Sequence, residues 1–400
     1  MKKINIIQFL PFFPPHKWWL ETVAEELSIF YVAKKYGEVI NIVYDIGQNI
    51  EYRTHNGWLD IIKNNFDKVI WYRQKNYIVY LLPAFEVISN FPFPKFWKKE
   101  FWDILKETGL KIKRDRSQDV TIIQTHTRFF TSSFLWWLFA KYNKLKWVHI
   151  EHWSDYVKLW SNIKSKVAYV YDRLIWKWIF KNTDKIVAIS EWVKNYIINE
   201  FINTDIEVIY NWINFKSWVK QDNSNLIKIW FVWRLVKLKW IDLLLEGFKN
   251  ITEKYTNLEL YILWDWDEKE SLEKYVLTNN FKKIFFLWFK DREYIANDFL
   301  PNIDILVNPS FQEWLPTTVL EWLLSKCVVI ATDVWWTREI SDFDDLIIIN
   351  KWSVESIEIW LVNAINNYKK VSGLSYKIVK EKFDWNVNID KYYNLYQKVQ

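Results

Sequence analysis

Two carboxylates flank a predicted helix start near residue 315. Glu313 and Glu321 stand on either side of Pro316, which suits the first position of a helix. The first backbone N–H groups of a helix have no partner within it, so they form a ready anion site. The segment therefore predicts a turn that binds an anion. A capped helix with two surface carboxylates is the alternative.

Tryptophan and glycine occur in unusual proportions. The chain has 29 Trp and 6 Gly among 400 residues, whereas about 28 Gly are usual at this length. Many Trp stand at predicted strand-to-helix turns, where Gly supplies a positive φ or a close backbone approach. We interpret these positions as UGA codons that mean Gly in the source and were translated as Trp. A truly Trp-rich protein that stacks sugars is the alternative.

The interpretation assigns individual positions. Trp178 and Trp385 are predicted to be Trp in the native protein. The positions predicted to be Gly are Trp18, Trp19, Trp233, Trp240, Trp264, Trp266, Trp314, Trp335 and Trp336.

Three histidines follow predicted strands in the first half. His126 comes after strand 119–125, and His149 and His152 alternate with Ile150 along the next strand. Together with Glu151 they could suggest a metal site. Their spacing fits no zinc pattern, so we predict no metal.

Apolar strand-like runs alternate with helix-period segments along the chain, which favours βαβ units and parallel sheets. A polar stretch at 211–224 separates two such series. Ligands of such sheets bind beyond the carboxyl ends of the strands, where the strand order reverses.

Charge and composition limit the functional classes. The net charge of +6 does not by itself imply nucleic acid, and we predict none as a partner; it suits anionic ligands or an anionic membrane surface. The single cysteine, Cys327, fits a reducing cytosol. No signal peptide and no membrane span are predicted, so we expect a cytoplasmic protein. Residues 91–106 mix aromatics and Lys, which indicates a peripheral membrane contact or an acceptor path. Packing of this segment on its own domain is the alternative.

With Trp taken as Gly, the motifs resemble those of a known family. Strand 227–232 is followed by G-R-L-x-x-x-K-G, strand 258–263 by G-D-G-D, and strand 303–307 by E-G-L-P-x-x-x-x-E. Residues 14–21 look like a P-P-x-x-G-G-x-E opening. This order resembles the retaining, nucleotide-sugar-dependent glycosyltransferases of family 4. The resemblance implies an α/β GT-B fold, in which two Rossmann-like domains face each other across a cleft.

The resemblance also implies domain bounds. Residues 1–215 match the acceptor domain, and residues 216–375 match the nucleotide-sugar domain. Residues 376–400 match a helical tail that returns to the N-terminal domain.

Roles for single residues follow from the same motifs. Arg234 and Lys239 match two cations that hold the donor diphosphate. Glu313 matches a carboxylate beside the donor sugar, and His126 matches a histidine that contacts that sugar. These four are the predicted catalytic residues. The predicted donor-binding residues are Trp18, Trp19, Arg234, Lys239, Trp314, Leu315, Pro316, Thr317, Thr318 and Glu321, the last on the ribose hydroxyls.

The resulting expectation is a metal-independent hexosyltransferase that needs no cofactor besides its co-substrate. It would move a sugar from a nucleotide diphosphate sugar to a sugar or lipid-linked acceptor at the inner face of a membrane, in cell-surface polysaccharide or glycolipid synthesis. A GT-B epimerase and a Trp-rich carbohydrate-binding protein are alternatives. A retaining glycoside hydrolase, which needs two carboxyls about 5–5.5 Å apart, is another.

Overall fold

The structure is a computed structural model of the chain. It describes residues 2–13, 19–45, 60–63, 70–74, 77–88, 91–115, 119–127, 132–153, 162–211, 225–232, 239–264, 269–288, 300–308, 317–333, 337–349 and 353–400.

The chain forms two compact units. Unit 1 consists of Met1–Asn211 together with Asn386–Gln400, and unit 2 is Trp212–Trp385. The chain thus passes from unit 1 into unit 2 and returns for its last helix. The sequence placed these two boundaries after residues 215 and 375.

Unit 1 is built on a mixed sheet. The described strands are β1 Ile4–Leu10, β2 Val39–Asp45, β3 Asp60–Lys63, β4 Ile70–Gln74, β5 Tyr77–Ile88, β6 Phe91–Pro94, β7 Val120–His126, β8 Lys146–Glu151, β9 Lys185–Ala188 and β10 Ile206–Val208. Their order is β10-β9-β8-β7-β1-β2-β5-β4-β3, with β6 paired to β5. The pairs from β10 through β1 and β2 to β5 are parallel. The pairs among β3, β4, β5 and β6 are antiparallel.

The described helices follow the chain in order. They are α1 Trp19–Ala33, α2 Lys99–Asp115, α3 Ser132–Tyr142, α4 Asn162–Asn182, α5 Glu191–Glu200, α6 Lys239–Thr252, α7 Lys269–Thr278, α8 Thr317–Leu324, α9 Val354–Val371, α10 Tyr376–Phe383 and α11 Trp385–Val399. No helix in these described ranges is both long enough and apolar enough to cross a membrane.

Alternating residues of β1 determine which helices cover each face of the unit 1 sheet. The Gln8 side chain donates to Ser28 of α1 at 3.0 Å. The next residue, Phe9, points to the other face and stacks on Trp136 of α3 with ring centroids 3.5 Å apart. Tyr31 of α1 contacts Tyr396 of α11 edge to face, so these two helices share the first face.

Gly37 shows how closely α1 and β1 are joined. The backbone N–H of Ile4 donates to the carbonyl of Tyr36 at 3.0 Å. A Cβ on Gly37 would lie 1.9 Å from the carbonyl oxygen of Ile4. Any side chain here would push the turn off the first strand, so this position requires glycine.

Unit 2 contains a parallel sheet of six strands. They are β11 Ile227–Val232, β12 Leu258–Trp264, β13 Ile284–Trp288, β14 Ile305–Asn308, β15 Val328–Thr332 and β16 Leu346–Ile349, in the order β13-β12-β11-β14-β15-β16. Helices α6 and α9 contribute Leu244, Phe248 and Leu361 to a core that contains Ile229 and Ile305 of the sheet. Because both faces of a parallel sheet are covered, its strands read as continuous apolar runs.

The predicted α/β class with parallel-strand sheets is confirmed, and most predicted strands and helices lie within a few residues of the observed ones. The antiparallel strands β3 to β6 were not predicted. They lie at the sheet edge between residues 60 and 94, where Pro residues and short polar insertions interrupt the alternation that identifies a strand.

Candidate active site

The strand order of unit 2 reverses between β11 and β14. These two strands pair in parallel, with Ile229 opposite Ile305 and Phe231 opposite Val307. The chain leaves β11 toward Arg234 and α6, and it leaves β14 toward Glu313 and α8. Both sequence motifs of the second half therefore begin at the one sheet edge where such folds bind their ligands.

Several predicted donor-binding residues lie outside the described residues. These are Trp18, Arg234, Trp314, Leu315 and Pro316, and the predicted catalytic residue Glu313 lies outside them as well. Trp19, Lys239, Thr317 and Thr318 occupy the first residues of α1, α6 and α8, and only their backbone is described. Their assigned roles stay predictions.

The first turn of α8 carries Thr317 and Thr318, and Glu321 follows one turn later. Val319, Leu320 and Leu323 are buried and anchor the helix, whereas Glu321 is partly exposed. The Glu321 carbonyl accepts from the Ser325 hydroxyl at 2.8 Å, which adds a contact at the helix end. The helix is therefore fixed by its apolar face, and its N-terminal N–H groups and Glu321 belong to one short rigid element.

The strand order of unit 1 reverses at β1. This strand lies between β7 and β2, with Gln8 opposite Gln124 and Phe9 opposite Thr125. The chain leaves β1 toward Trp18 and α1, and β7 ends at His126. The predicted glycine turn and the predicted site histidine thus follow the two strands that meet at this reversal.

His126 is held in a buried hydrogen-bond network at the end of β7. Its side chain is among the buried polar groups, with 2% exposure. Nε2 lies 2.8 Å from both Gln124 Nε2 and Gln8 Oε1, and Nδ1 lies 3.0 Å from Nε2 of His152. The two imidazole planes are nearly parallel, with an angle of 16° between them.

The partners fix the direction of two links. Tyr396 of α11 donates its hydroxyl to Gln124 Oε1, and Gln124 Nε2 donates to Gln8 Oε1 at 2.7 Å. The roles of the His126 nitrogens depend on its tautomer: Nε2 either accepts from Gln124 Nε2 or donates to Gln8 Oε1. In the first tautomer Nδ1 donates to His152 Nε2, and in the second Nδ1 accepts from it.

The network extends from β1 into α1. The Gln8 amide nitrogen donates to Ser28 and to Asn41 Oδ1, each at 3.0 Å. Asn41 Nδ2 donates back to Ser28 Oγ at 3.1 Å. All three side chains are fully buried. Sequence analysis did not identify Gln8, Gln124 or Tyr396 as site-supporting residues; the available signal was a polar residue interrupting an apolar strand run.

Thr127, directly after His126, has an unusual backbone. Its φ is +50°, a left-handed value that is rare for a β-branched residue. Its N–H donates to the carbonyl of Ile150 at 2.9 Å, which holds this conformation. Its buried hydroxyl has no hydrogen-bond partner within the described part of the chain. Strain of this kind concentrates at functional sites, so Thr127 adds to the case for a site here.

His149 lies on the opposite face of the sheet. Its Nδ1 contacts the Thr125 hydroxyl at 2.8 Å, and its Nε2 lies 3.4 Å from Glu151. Glu151 also accepts from the backbone N–H groups of His152 and Trp153. Among the described residues, no group of three or more His, Cys, Asp or Glu is arranged to hold a metal ion.

The buried imidazoles predict acid sensitivity of unit 1. Burial lowers the pKa of His126 to about 3, with a further contribution from His149, and burial lowers the pKa of His152 well below its usual value. An unfolded histidine titrates near about 6.5. Between these pKa values the unfolded chain binds more protons than the folded chain. The stability that the neutral histidines allow is therefore fully present above about pH 6.5, and the free energy of unfolding falls as the pH drops toward 3.

Each of these histidines should contribute a slope of about 1.4 kcal/mol per pH unit in that window. Urea unfolding at about pH 7.5 and about pH 5.5 measures the loss, and His126→Gln should remove about half of it. The same pH dependence in His126→Gln and the parent chain would contradict the neutral assignment.

Comparisons with known proteins agree with this architecture. The family model "Glycosyltransferase Family 4" matches residues 73–217, and the model "Glycosyl transferases group 1" matches residues 213–372. An uncharacterized glycosyltransferase of Methanocaldococcus jannaschii is 30% identical over 423 residues, covering 100% of both chains.

Two solved structures share the fold. A sucrose-phosphate synthase of Thermosynechococcus elongatus superposes with a TM-score of 0.69 at 15% identity and 99% coverage of each chain. The Anabaena protein HepE, solved with UDP and glucose, superposes with a TM-score of 0.63 at 11% identity, covering 98% of this chain and 99% of its own.

The fold is therefore the GT-B class of glycosyltransferase. This chain belongs to the glycosyltransferases of family 4 and group 1.

Proposed function

We propose that the chain transfers a hexose-type sugar from a nucleotide diphosphate sugar to an acceptor hydroxyl, with retention at the anomeric carbon. The observation that carries this proposal is the convergence of the predicted motifs on the strand reversal of each unit's sheet. The similarity to a protein solved with UDP and glucose supports the choice of donor class.

In this proposal, charge on the leaving diphosphate is balanced by the protein. Arg234 and Lys239 supply two cations, and the N-terminus of α8 supplies unpaired N–H groups near Thr317 and Thr318. The bond from the anomeric carbon to the phosphate oxygen breaks as the acceptor oxygen bonds to that carbon. The departing phosphate oxygen takes the acceptor proton. These two cations would balance the charge that a bound metal balances elsewhere, so we propose that transfer is independent of metal.

His126 and Glu313 complete the proposed catalytic set. Because burial lowers the pKa of His126 to about 3, it contributes a neutral imidazole in a fixed orientation. Both ring nitrogens contact protein groups, so a hydrogen bond to a sugar hydroxyl would have to replace one of these contacts. Glu313 is proposed to accept from the hydroxyls of the same sugar.

The test uses the chain with glycine at the positions assigned to it and measures release of nucleoside diphosphate from a panel of UDP-, GDP- and ADP-hexoses, with and without a chelator. Retention is read from the anomeric configuration of the product by NMR. Release of nucleoside diphosphate that requires a divalent ion would contradict the proposed metal independence. Conversion of the donor sugar without transfer would support an epimerase instead.

Glu321 is expected to discriminate ribose from deoxyribose. A carboxylate that accepts from ribose hydroxyls loses a charge-assisted hydrogen bond when the 2′-hydroxyl is missing, a change of about 10- to 100-fold in affinity. In a chain with glycine at the positions assigned to it, calorimetry with UDP and 2′-deoxy-UDP should show this preference, and adding Glu321→Ala should abolish it.

Glu253→Ala is the matched control, since Glu253 is an exposed carboxylate at the far end of α6 in the same unit. It should leave both affinities unchanged. If Glu321→Ala kept the full preference for ribose, Glu321 would not contact the nucleotide.

We also propose peripheral membrane contact through residues 91–106, at the cytosolic face where a lipid-linked acceptor of polysaccharide or glycolipid synthesis would be met. Trp97 and Trp102 are 67% and 57% exposed, while Phe101 is buried in unit 1. Phe93 and Phe96 pack edge to face, with ring centroids 5.6 Å apart. Part of the segment thus packs on the domain, and the two exposed indoles with Lys98 and Lys99 remain available to a bilayer.

A further inference from the structure

Helices α2, α3 and α4 lie on one face of the unit 1 sheet. Phe9 of β1 stacks on Trp136 of α3, and Thr125 is its neighbour in register on β7. Thr125 is in turn opposite His149, whose ring lies 5.8 Å from Phe180 of α4. On the α2 side, Ile112 lines a small cavity with Ile7 and Thr121. Since side chains of paired residues share a face, the three helices form one layer.

The outer side of this layer is unusually apolar. Each helix exposes large apolar side chains at helical spacing on the side away from the sheet. These are Trp102 and Leu110 on α2 at 57% and 50% exposure, Phe134 and Leu138 on α3 at 48% and 44%, and Val170 and Leu174 on α4 at 54% and 67%. We call these six residues and the exposed lysines around them the three-helix surface.

The surface is continuous from helix to helix. Phe134 of α3 lies 5.4 Å from Trp178 of α4, and Trp137 lies 4.7 Å from the same indole. At the other side, a Cβ placed on Gly109 of α2 would lie 3.6 Å from the Asn143 side chain, directly after α3. The exposed apolar groups therefore belong to one area and not to three isolated positions.

The charge around this area is of one sign on two of the three helices. Lys141, Lys177 and Lys181 are exposed on α3 and α4. The only acidic residue in the sequence of these two helices is Asp172, whose side chain lies outside the described residues. On α2, Lys106 and Lys113 share the exposed stripe with Trp102 and Leu110. Of its carboxylates, Glu100, Asp103 and Glu107 are partly buried and Glu107 accepts from Tyr80, while the side chain of Asp115 lies outside the described residues.

We infer that the three-helix surface is a docking face for an anionic lipid bilayer. This inference rests on the membrane contact proposed above and extends it from residues 91–106 to the outer faces of α3 and α4. Apolar side chains enter the headgroup region, and the lysines meet the anionic headgroups. A second copy of the chain fits this face poorly, because a two-fold contact would place lysines against lysines.

The inference does not depend on the identity of the tryptophans. Leu110, Phe134, Leu138, Val170 and Leu174 are apolar whichever residue the UGA hypothesis assigns at the Trp positions. By contrast, the apolar part of residues 91–106 that is exposed consists of Trp97 and Trp102. A chain with Gly at those two positions would keep the α3 and α4 part of the face.

Vesicle sedimentation of the full chain tests the inference. The probes are vesicles of phosphatidylcholine and of an equal mixture of phosphatidylcholine and phosphatidylglycerol, at low and high salt. The parent chain should bind the anionic vesicles, and binding should weaken at high salt. Lys177→Gln with Lys181→Gln should reduce binding to the anionic vesicles about 30-fold, because each lysine contributes about fivefold. Leu138→Ser with Leu174→Ser should reduce it at both salt concentrations.

The matched control is Leu277→Ser with Lys282→Gln, an exposed apolar and basic pair in unit 2. It should bind vesicles as the parent does, and all variants should keep the parent's thermal unfolding. Unchanged binding in both test pairs, or no binding of the parent chain at low salt, would overturn the inference. The inference would also be overturned if the test pairs lost self-association in sedimentation equilibrium and kept vesicle binding. The assay needs no sugar transfer, so it fails or succeeds separately from the proposed reaction.

Discussion

Glycine at positions 233, 314, 335 and 336 is expected to turn a chain without nucleotide affinity into a working transferase. Two of these positions follow β11 and β14, the strands that meet where the unit 2 sheet order reverses. In such turns the backbone approaches the diphosphate directly, and an indole occupies the space the ligand needs. The four-fold glycine variant should bind its nucleotide sugar with a Michaelis constant between about 1 μM and 1 mM. The chain with Trp at these positions should show no detectable nucleotide binding or turnover.

Trp385→Gly is the control for the glycine hypothesis. Trp385 is 2% exposed and predicted to be a true tryptophan, so its removal should lower the free energy of unfolding by about 3–5 kcal/mol. The codons decide independently: UGA at 233 and 314 supports glycine. UGG at these positions, or intact Trp in peptides of the native protein, would end the hypothesis.

Arg234→Ala and Lys239→Ala, made in the glycine-restored chain, should each lower turnover by about 100- to 1,000-fold. Each change removes a charge-assisted contact that strengthens as the diphosphate leaves. Arg234→Lys should fall between parent and alanine variant, because lysine keeps the charge and loses the bidentate fork. Steady-state rates at saturating donor measure the effect.

Arg338→Ala is the corresponding control. Arg338 is an exposed arginine of unit 2 whose guanidinium pairs with Asp333 at 2.7 Å. Its loss should leave turnover unchanged within error. Parent-like turnover of Arg234→Ala and Lys239→Ala would exclude both residues from the diphosphate site.

Parallel strands and the helices between them were predictable from the sequence because their signals are local. The run at 227–232 is apolar except for Lys228, and the observed β11 has the same bounds. The helix at 191–200 begins at Ser190, whose hydroxyl accepts from the Val193 N–H at 3.1 Å, a cap that is visible in the sequence. The motif order predicts Arg234, Glu313 and Glu321 near one sheet edge. Glu321 lies on α8, whereas Arg234 and Glu313 lie outside the described residues, so their placement stays a prediction.

The support of His126 was not predictable in the same way. Its partners Gln8 and Gln124 lie on β1 and β7, and His152 directly follows β8. Tyr396 of α11 bonds to Gln124. A single sequence shows that Gln8 interrupts an apolar run, but not which distant side chain pairs with it. The three-helix surface was missed for a related reason, since apolar residues at helical spacing usually indicate a buried face.

The return of the last helix to unit 1 constrains how the protein is made. Tyr396 bonds to Gln124 across 272 residues of sequence, and Lys34 and Tyr36 of the first βα unit bond to Asp390. During synthesis the N-terminal Rossmann-like sheet emerges first, but its covering helix is translated after all of unit 2. Nascent unit 1 is therefore without α11 on the face that this helix shares with α1 until residues 386–400 are translated. A chain truncated before Asn386 is the form that chaperones should retain.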